Sequence, residues 1–468
     1  MESLNKLFNF LLWGSLFVLG VLYMSCSMYE TLDLLPNISF LIVSILLSVL
    51  YLVIYRRNSI FCYETFFLLL FVLSTFFNEI IVKNMLDTSN VMLAYFNVSF
   101  SNKTENKGII LNTLCLVVFL IGATRVNMMS SNTIHNNFFK INRNLSLSIN
   151  VLAVITGLYI IYLGLSGVIS SWFQYSNNVS DFSNSDIVYL TMLFLVNTSL
   201  EFSRLFDNKC NSLKFFFLKV NRIYFVEILF IGGVLLISGN RNECLLVMLP
   251  MIVSYHIFIK KIDTKQFFIM FSVGVSLMIV IGLTRQSNDL ALLQDKTINL
   301  YEMSRDFCFV DNNTKYLIDF TDKISPAGFK NAFLNLLSSI PFLGGIVVSV
   351  TGLSYDTRSV DLTTQGMQLS SNMESGLGTS LMGDLYYTGG TFFTLVFMYF
   401  LGWLIATLYR RFMIEKKYDI WMLIIYLFMF SNVVYIIRAE WTMPFRYIGF
   451  SFVIALLLRF IQPIKKLK

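Results

Sequence analysis

The sequence predicts an all-α polytopic membrane protein with about 12 transmembrane helices and one large loop on the outer face. Three observations carry this. Of 468 residues, 56% are hydrophobic and only 13% are charged, with a mean hydropathy of +0.67. A soluble domain carries about a quarter charged residues, so this chain lacks the polar surface to cover a water-soluble globule. Apolar runs near the roughly 20 residues needed to cross a bilayer recur along the whole chain, and the ~10-residue alternating strands of a transmembrane β-barrel are absent.

Taken in order, the predicted spans cover about 8–27, 38–55, 66–82, 108–124, 147–165, 187–206, 223–237, 245–259 and 267–284, then 384–409, 420–437 and 447–461. No small-residue cleavage site precedes the polar stretch after the first span, so no cleaved signal peptide is expected. Arg56 and Arg57 close the second span, and an Asn-rich stretch reaches Lys107 before the fourth. Arg204, Lys209, Lys214, Lys219 and Arg222 crowd the sixth-to-seventh connection, and Ser238-Gly-Asn-Arg241 makes a tight turn between the seventh and eighth. Three parts result: residues 1–284 with nine spans, 285–380 as the large outer loop, and 381–468 with three spans. No internal repeat stands out.

Twelve crossings place both termini on one side. Of the 35 Lys and Arg, the short outer connections hold six (Lys83, Lys103, Lys107, Arg241, Arg438 and Arg446), the long loop holds seven, and the rest lie on the side of the termini. The positive-inside rule makes that side cytoplasmic. The same distribution explains the net charge of +7 without a nucleic-acid partner. Within the loop, 333–354 is apolar and long enough to span, but a crossing there would place Arg410, Arg411, Lys465 and Lys466 outside. Pro341 and Gly344-Gly345 divide it, so a re-entrant or interfacial helix pair is expected. The six cysteines show no Cys-x-x-Cys, and His135 and His256 are far apart, so no metal site is predicted.

Arg241, Arg285, Arg438 and Arg446 fall at outer span ends, against the positive-inside gradient. Each alone fits a snorkelling side chain. Together they suit a phosphate ligand, because guanidinium binds phosphate oxygens bidentately and keeps its charge at any working pH. A polyprenyl pyrophosphate is the substrate such a cluster on a membrane bundle would need. Glu243, Glu374, Asp384 and Glu440 lie on the same face, and a carboxylate half-buried among arginines can take a proton from a sugar hydroxyl. Glu374 is the first candidate and Asp384 or Glu440 the next; simple pairing of Glu243 with Arg241, and of Glu440 with Arg438 or Arg446, is the plainer alternative. Trp172, Phe173, Tyr175, Tyr386, Tyr387 and Trp441 fit either sugar stacking or the interfacial aromatic belt. The chain has no phosphate-binding Gly-x-x-x-x-Gly-Lys loop, no His-Glu-x-x-His and no Gly-x-Ser-x-Gly elbow, and no outer Asp-x-Asp that would hold a metal-bound nucleotide sugar.

The Ser238-Gly-Asn-Arg241 turn, the single long outer loop, and Gly376-Leu-Gly-Thr-Ser-Leu-Met-Gly-Asp384-Leu-Tyr-Tyr-Thr-Gly-Gly390 running into a span resemble the O-antigen (oligosaccharide repeat unit) polymerases of the Wzy type. Arg438, with Gly449 eleven positions later, also fits an Arg-x10-Gly spacing described for some members. The resemblance implies a GT-C-like, metal-independent glycosyltransferase of the bacterial inner membrane that uses no cofactor. It would move a growing glycan from undecaprenyl pyrophosphate to the sugar of a lipid-linked repeat unit at the periplasmic face. Membrane lipid would surround it, and a polysaccharide chain-length regulator would be a partner to test. Arg241, Arg285, Arg438 and Arg446 would hold the pyrophosphate, with Glu374, Asp384 or Glu440 as base. An O-antigen ligase is one alternative, disfavoured by the lack of an outer-face histidine. A lipid-linked oligosaccharide flippase or polysaccharide transporter is another. It predicts charges lining a cavity within the spans, where only Glu79, Glu201, Glu227 and Arg459 occur.

Overall fold

A computed structural model describes residues 2–29, 37–56, 59–77, 100–128, 145–172, 185–207, 212–238, 241–286, 300–324, 326, 328–340, 343–352, 358–366, 378–416 and 419–461. Among the described residues there is no strand. Each predicted span coincides with a helix: α1 (Glu2–Met28), α2 (Asn37–Tyr55), α3 (Tyr63–Phe77), α4 (Asn102–Met128), α5 (Leu145–Leu165), α6 (Ser185–Asp207), α7 (Arg222–Ile237), α8 (Arg241–Phe258) and α9 (Thr264–Gln286). The long loop holds α10 (Leu300–Ile324), α11 (Phe329–Leu337), α12 (Leu343–Thr351) and α13 (Ser359–Gly366). After it come α14 (Leu381–Tyr409), α15 (Ile420–Ser431) and α16 (Met443–Ile461).

By length and composition, five helices among the described residues, or six with one bent pair, qualify as candidate membrane spans. Among the described residues, α1, α2, α4, α5 and α14 are long and apolar enough to cross a bilayer. Leu213–Lys219 and α7, bent 105° apart, make a sixth if they are one broken span. The described apolar parts of α3, α8, α15 and α16 run only 10–17 residues, about 15–25 Å of helix against a hydrocarbon core of about 30 Å.

The interior is organised around α4, which is 94% buried over its apolar window. It runs parallel to α14. At one end Lys107 meets Tyr386; midway Gly122 faces Tyr399 and Gly402 faces Phe119; at the other end Arg410 Nη1 donates to the Val126 carbonyl at 2.9 Å. The two glycines let the backbones touch. A methyl group on Gly122 would lie 2.1 Å from the Tyr399 carbonyl oxygen, and one on Gly402 would lie 2.1 Å from that of Phe119.

Each end of this pair carries buried charge. At the Arg410 end, Arg56 is buried against Glu64 and sits 3.9 Å over the Tyr409 ring, tying α2, α3 and α14 together. His256 lies near this end too, bonded to Ser59 at 3.2 Å. At the Asp384 end, the half of the long loop that reads as polar in sequence contains the 25-residue helix α10, packed against α3, α4, α13 and α14. Asp311 and Lys315 are buried as a pair at helical spacing, 2.8 Å apart, and Lys315 also meets Glu105 of α4 at 2.5 Å. The apolar part of the loop contains two nine-residue helices, α11 and α12. Each is about 13 Å long, too short to cross a bilayer alone.

Gly402→Ala should separate α4 from α14 and cost about 3 kcal/mol or more, since the atom it strikes is backbone and cannot swing away. Its melting temperature in detergent should fall by several degrees or more, whereas Gly14→Ala, where nothing lies within 4 Å, should melt as the wild type.

Candidate functional site

The site is built on the first two turns of α14. Ser380 caps the helix by accepting from the Gly383 N–H at 2.9 Å. Residues 381–388 are all buried. The helix then breaks at Gly389 (φ −151°, ψ 20°) and Gly390 (φ 70°, ψ −168°), the second conformation being open essentially to glycine alone. These two turns therefore take their own direction, set by what packs against them.

Asp384 lies one turn into the helix and is 6% exposed. Its Oδ2 accepts the Trp441 backbone N–H at 2.8 Å, and Ser359 of α13 also hydrogen-bonds its carboxyl. The Trp441 indole N–H donates to Thr388 at 3.1 Å. Backbone bonds from Thr379 N–H to the Arg438 carbonyl (3.3 Å) and from Leu381 N–H to the Ile437 carbonyl (2.9 Å) lay residues 379–381 along the α15–α16 connection. Asp384 and Glu440 thus line one small pocket, with Arg358, Asn331, Tyr387, Thr388 and Trp441 also in its wall.

Arg358, 44% exposed over its side chain, has its Nε 4.0 Å from Glu440 Oε1 and 3.4 Å from Asp361. Burial pushes the Glu440 carboxyl above the usual carboxylate range; Arg358 opposes that, and the Asp361 charge adds to it. Asp384 places a second carboxylate in the same pocket, and like charges resist simultaneous ionisation. A carboxylate poised in this way can accept a proton, and a half-exposed guanidinium beside it can hold an anionic group.

The structure thus brings together Asp384, Glu440 and Arg438. Arg438 is half-buried, with its guanidinium close to Gly378, and is not part of the pocket lining. Arg446 is exposed on the first turn of α16, outside the lining. Arg241 opens α8 and Arg285 lies in the last turn of α9, and their side chains lie outside what is described. Glu243, in the first turn of α8, is within electrostatic reach of Tyr435 and Tyr447, which brings that end of α8 towards the same loop. Glu374 lies outside the described residues, as does His135. Arg358 and Asp361 are the members that sequence reasoning missed. Their only signal was a charged pair three apart at the head of a short helix.

The family model described as O-antigen polysaccharide polymerase Wzy matches residues 8–468. The chain belongs to this family. No curated protein and no solved structure matches it. It is a multi-pass membrane protein of O-antigen polysaccharide biosynthesis, a polymerase of the glycosyltransferase type.

If Glu440 is the proton acceptor, the polymerisation rate should rise with pH over a range above that of an ordinary glutamate, because burial pushes its carboxyl up. Removing a neighbouring anion favours ionisation and removing the cation opposes it. Asp361→Asn should therefore move this limb to lower pH, and Arg358→Gln should move it to higher pH. Rate–pH profiles in membranes from the two variants check the opposite signs.

Proposed function

We propose that the polymerase acts at the Asp384 end, on the periplasmic face of the bacterial inner membrane, joining lipid-linked oligosaccharide repeat units. A hydroxyl on the sugar of one repeat unit attacks the anomeric carbon of the glycan held on undecaprenyl pyrophosphate. The new glycosidic bond forms as the bond from that carbon to the pyrophosphate oxygen breaks, and the electron pair leaves with undecaprenyl pyrophosphate. The hydroxyl proton passes to the Asp384–Glu440 pair. The observation that carries this reading is the shared pocket: a buried Asp384 and a half-buried Glu440 with an exposed arginine beside them.

Within the pair, Asp384 is fixed by two donors, and Glu440 is the member whose ionisation Arg358 and Asp361 tune. Arg358 and Arg438, with Arg241, Arg285 and Arg446 from the same set of helix ends, stabilise the charge developing on the leaving pyrophosphate. Fixed guanidinium charges can fill this role without a metal ion. Glu374 remains a further base candidate from the adjoining chain.

The twelve-crossing arrangement with cytoplasmic termini is part of the proposal. It is supported by the parallel run of α4 and α14, the fourth and tenth segments, which must cross in the same direction. It is also supported by the separation of Arg56, Arg410 and His256 from Asp384, at opposite ends of helices about 40 Å long. The exposed Phe329, Phe333, Ile346 and Val350 of α11 and α12 suit a pair of helices lying at the membrane interface.

Deleting the gene in the host strain should leave surface lipid A-core capped by a single repeat unit, and the wild-type gene should restore a ladder on a gel. Arg358→Ala and Arg438→Ala, at wild-type protein levels, should not restore it. Complete loss of surface repeat units on deletion would instead identify a flippase.

A further inference from the structure

The break at Gly389–Gly390 leaves the Asp384 turns without rigid helical continuity to the rest of α14, so lateral contacts must set their direction. On one side these contacts belong to the pocket itself, through Trp441 and Ser359. On the opposite side they come from α10 and α4. Thr314 of α10 donates to the capping Ser380 at 2.7 Å, and Phe320 packs its ring on Tyr387 at 6.2 Å. Two residues further along α10, Asp322 accepts from the Tyr386 hydroxyl at 2.6 Å. Lys107 of α4 closes the set: its Nζ lies 2.7 Å from the Tyr386 oxygen and 2.5 Å from Asp322 Oδ2. Lys107 is 8% exposed over its side chain. A buried ammonium in such a place needs its partners, and it pins them in return.

We propose that Lys107, Asp322 and Tyr386 are positioning residues for the polymerisation reaction: they hold the 381–388 segment at the angle that presents Asp384 to the pocket. The long loop then contributes to catalysis through α10, which touches the back of the site rather than substrate. The inference rests on Asp384 belonging to the proton-accepting pair.

The test uses the full-length purified protein and lipid-linked repeat units extracted from the gene-deletion strain, with kcat, KM and melting temperature measured for each variant. Tyr386→Phe keeps the ring and the Lys107–Asp322 pair but removes the shared hydroxyl. It should lower kcat about tenfold, with KM little changed and the melting temperature within a few degrees of wild type. Lys107→Met should lower kcat further, and Lys107→Arg should recover most of it. Wild-type kcat in Tyr386→Phe, or a loss that only follows a matching fall in melting temperature, would overturn the proposal. Asp384→Asn measured beside them separates the two claims. If it is inactive while Tyr386→Phe is fully active, only the positioning role fails; if Asp384→Asn is itself fully active, the reading of the site fails first.

Discussion

Contact between the backbones of α4 and α14 fixes the core of the bundle on which the Asp384 end is built. With glycine on each helix at the crossing, the two chains approach until carbonyl oxygens fill the space a methyl group would occupy. Glycine pairs of this kind drive helix association in lipid, where apolar burial alone gives little preference for one neighbour over another. The contact fixes α14 along its length, up to the break at Gly389–Gly390. Beyond the break, the reactive turn is free of the helix below and answers to its surroundings. A rigid lower helix and an independently held upper turn let one element serve as both core and active-site wall.

Buried charge supplies the surroundings. A desolvated ion pair gives little net stability, but removing one partner strands the other at a cost of about 3–5 kcal/mol. Lys315 with Glu105 and Asp311, and Lys107 with Asp322, therefore act less as glue than as constraints on which helix lies against which. They draw a stretch of the long loop into the bundle beside the site. The Arg56–Glu64 pair performs the same service at the opposite end, among the aromatic rings of Tyr51 and Tyr409.

Much of this was legible in the sequence, because apolar length and basic flanks are strong one-dimensional signals. Every predicted apolar segment falls on helix among the described residues, and Asp384 and Glu440 stood out as carboxylates on a face rich in arginine. The run predicted over 420–437 is interrupted: α15 stops at Ser431, and a separate four-residue helix, Val433–Ile436, follows. α10 was hidden for another reason. Its buried face carries Asp311, Asn312, Asn313, Thr314 and Lys315, which read as a solvated loop until Glu105, some 200 positions away, supplies the missing charge. Arg358 escaped notice in the same way, because its partner Glu440 is brought close only by the pairing of 379–381 with 437–438. Partners distant in sequence leave no local pattern, and a site made of such partners is legible only in part.

Glycosyl transfer at the Asp384–Glu440 pocket, with a lipid pyrophosphate as leaving group, leaves a product that can be counted. The most direct measurement is the release of undecaprenyl pyrophosphate by the purified protein, reconstituted in lipid nanodiscs with lipid-linked repeat units and followed alongside glycan length. One lipid pyrophosphate should be released per linkage formed, with both signals lost in a folded Asp384→Asn, Glu440→Gln double variant. Chain growth at the wild-type rate in that double variant, or growth without release of the lipid pyrophosphate, would contradict it.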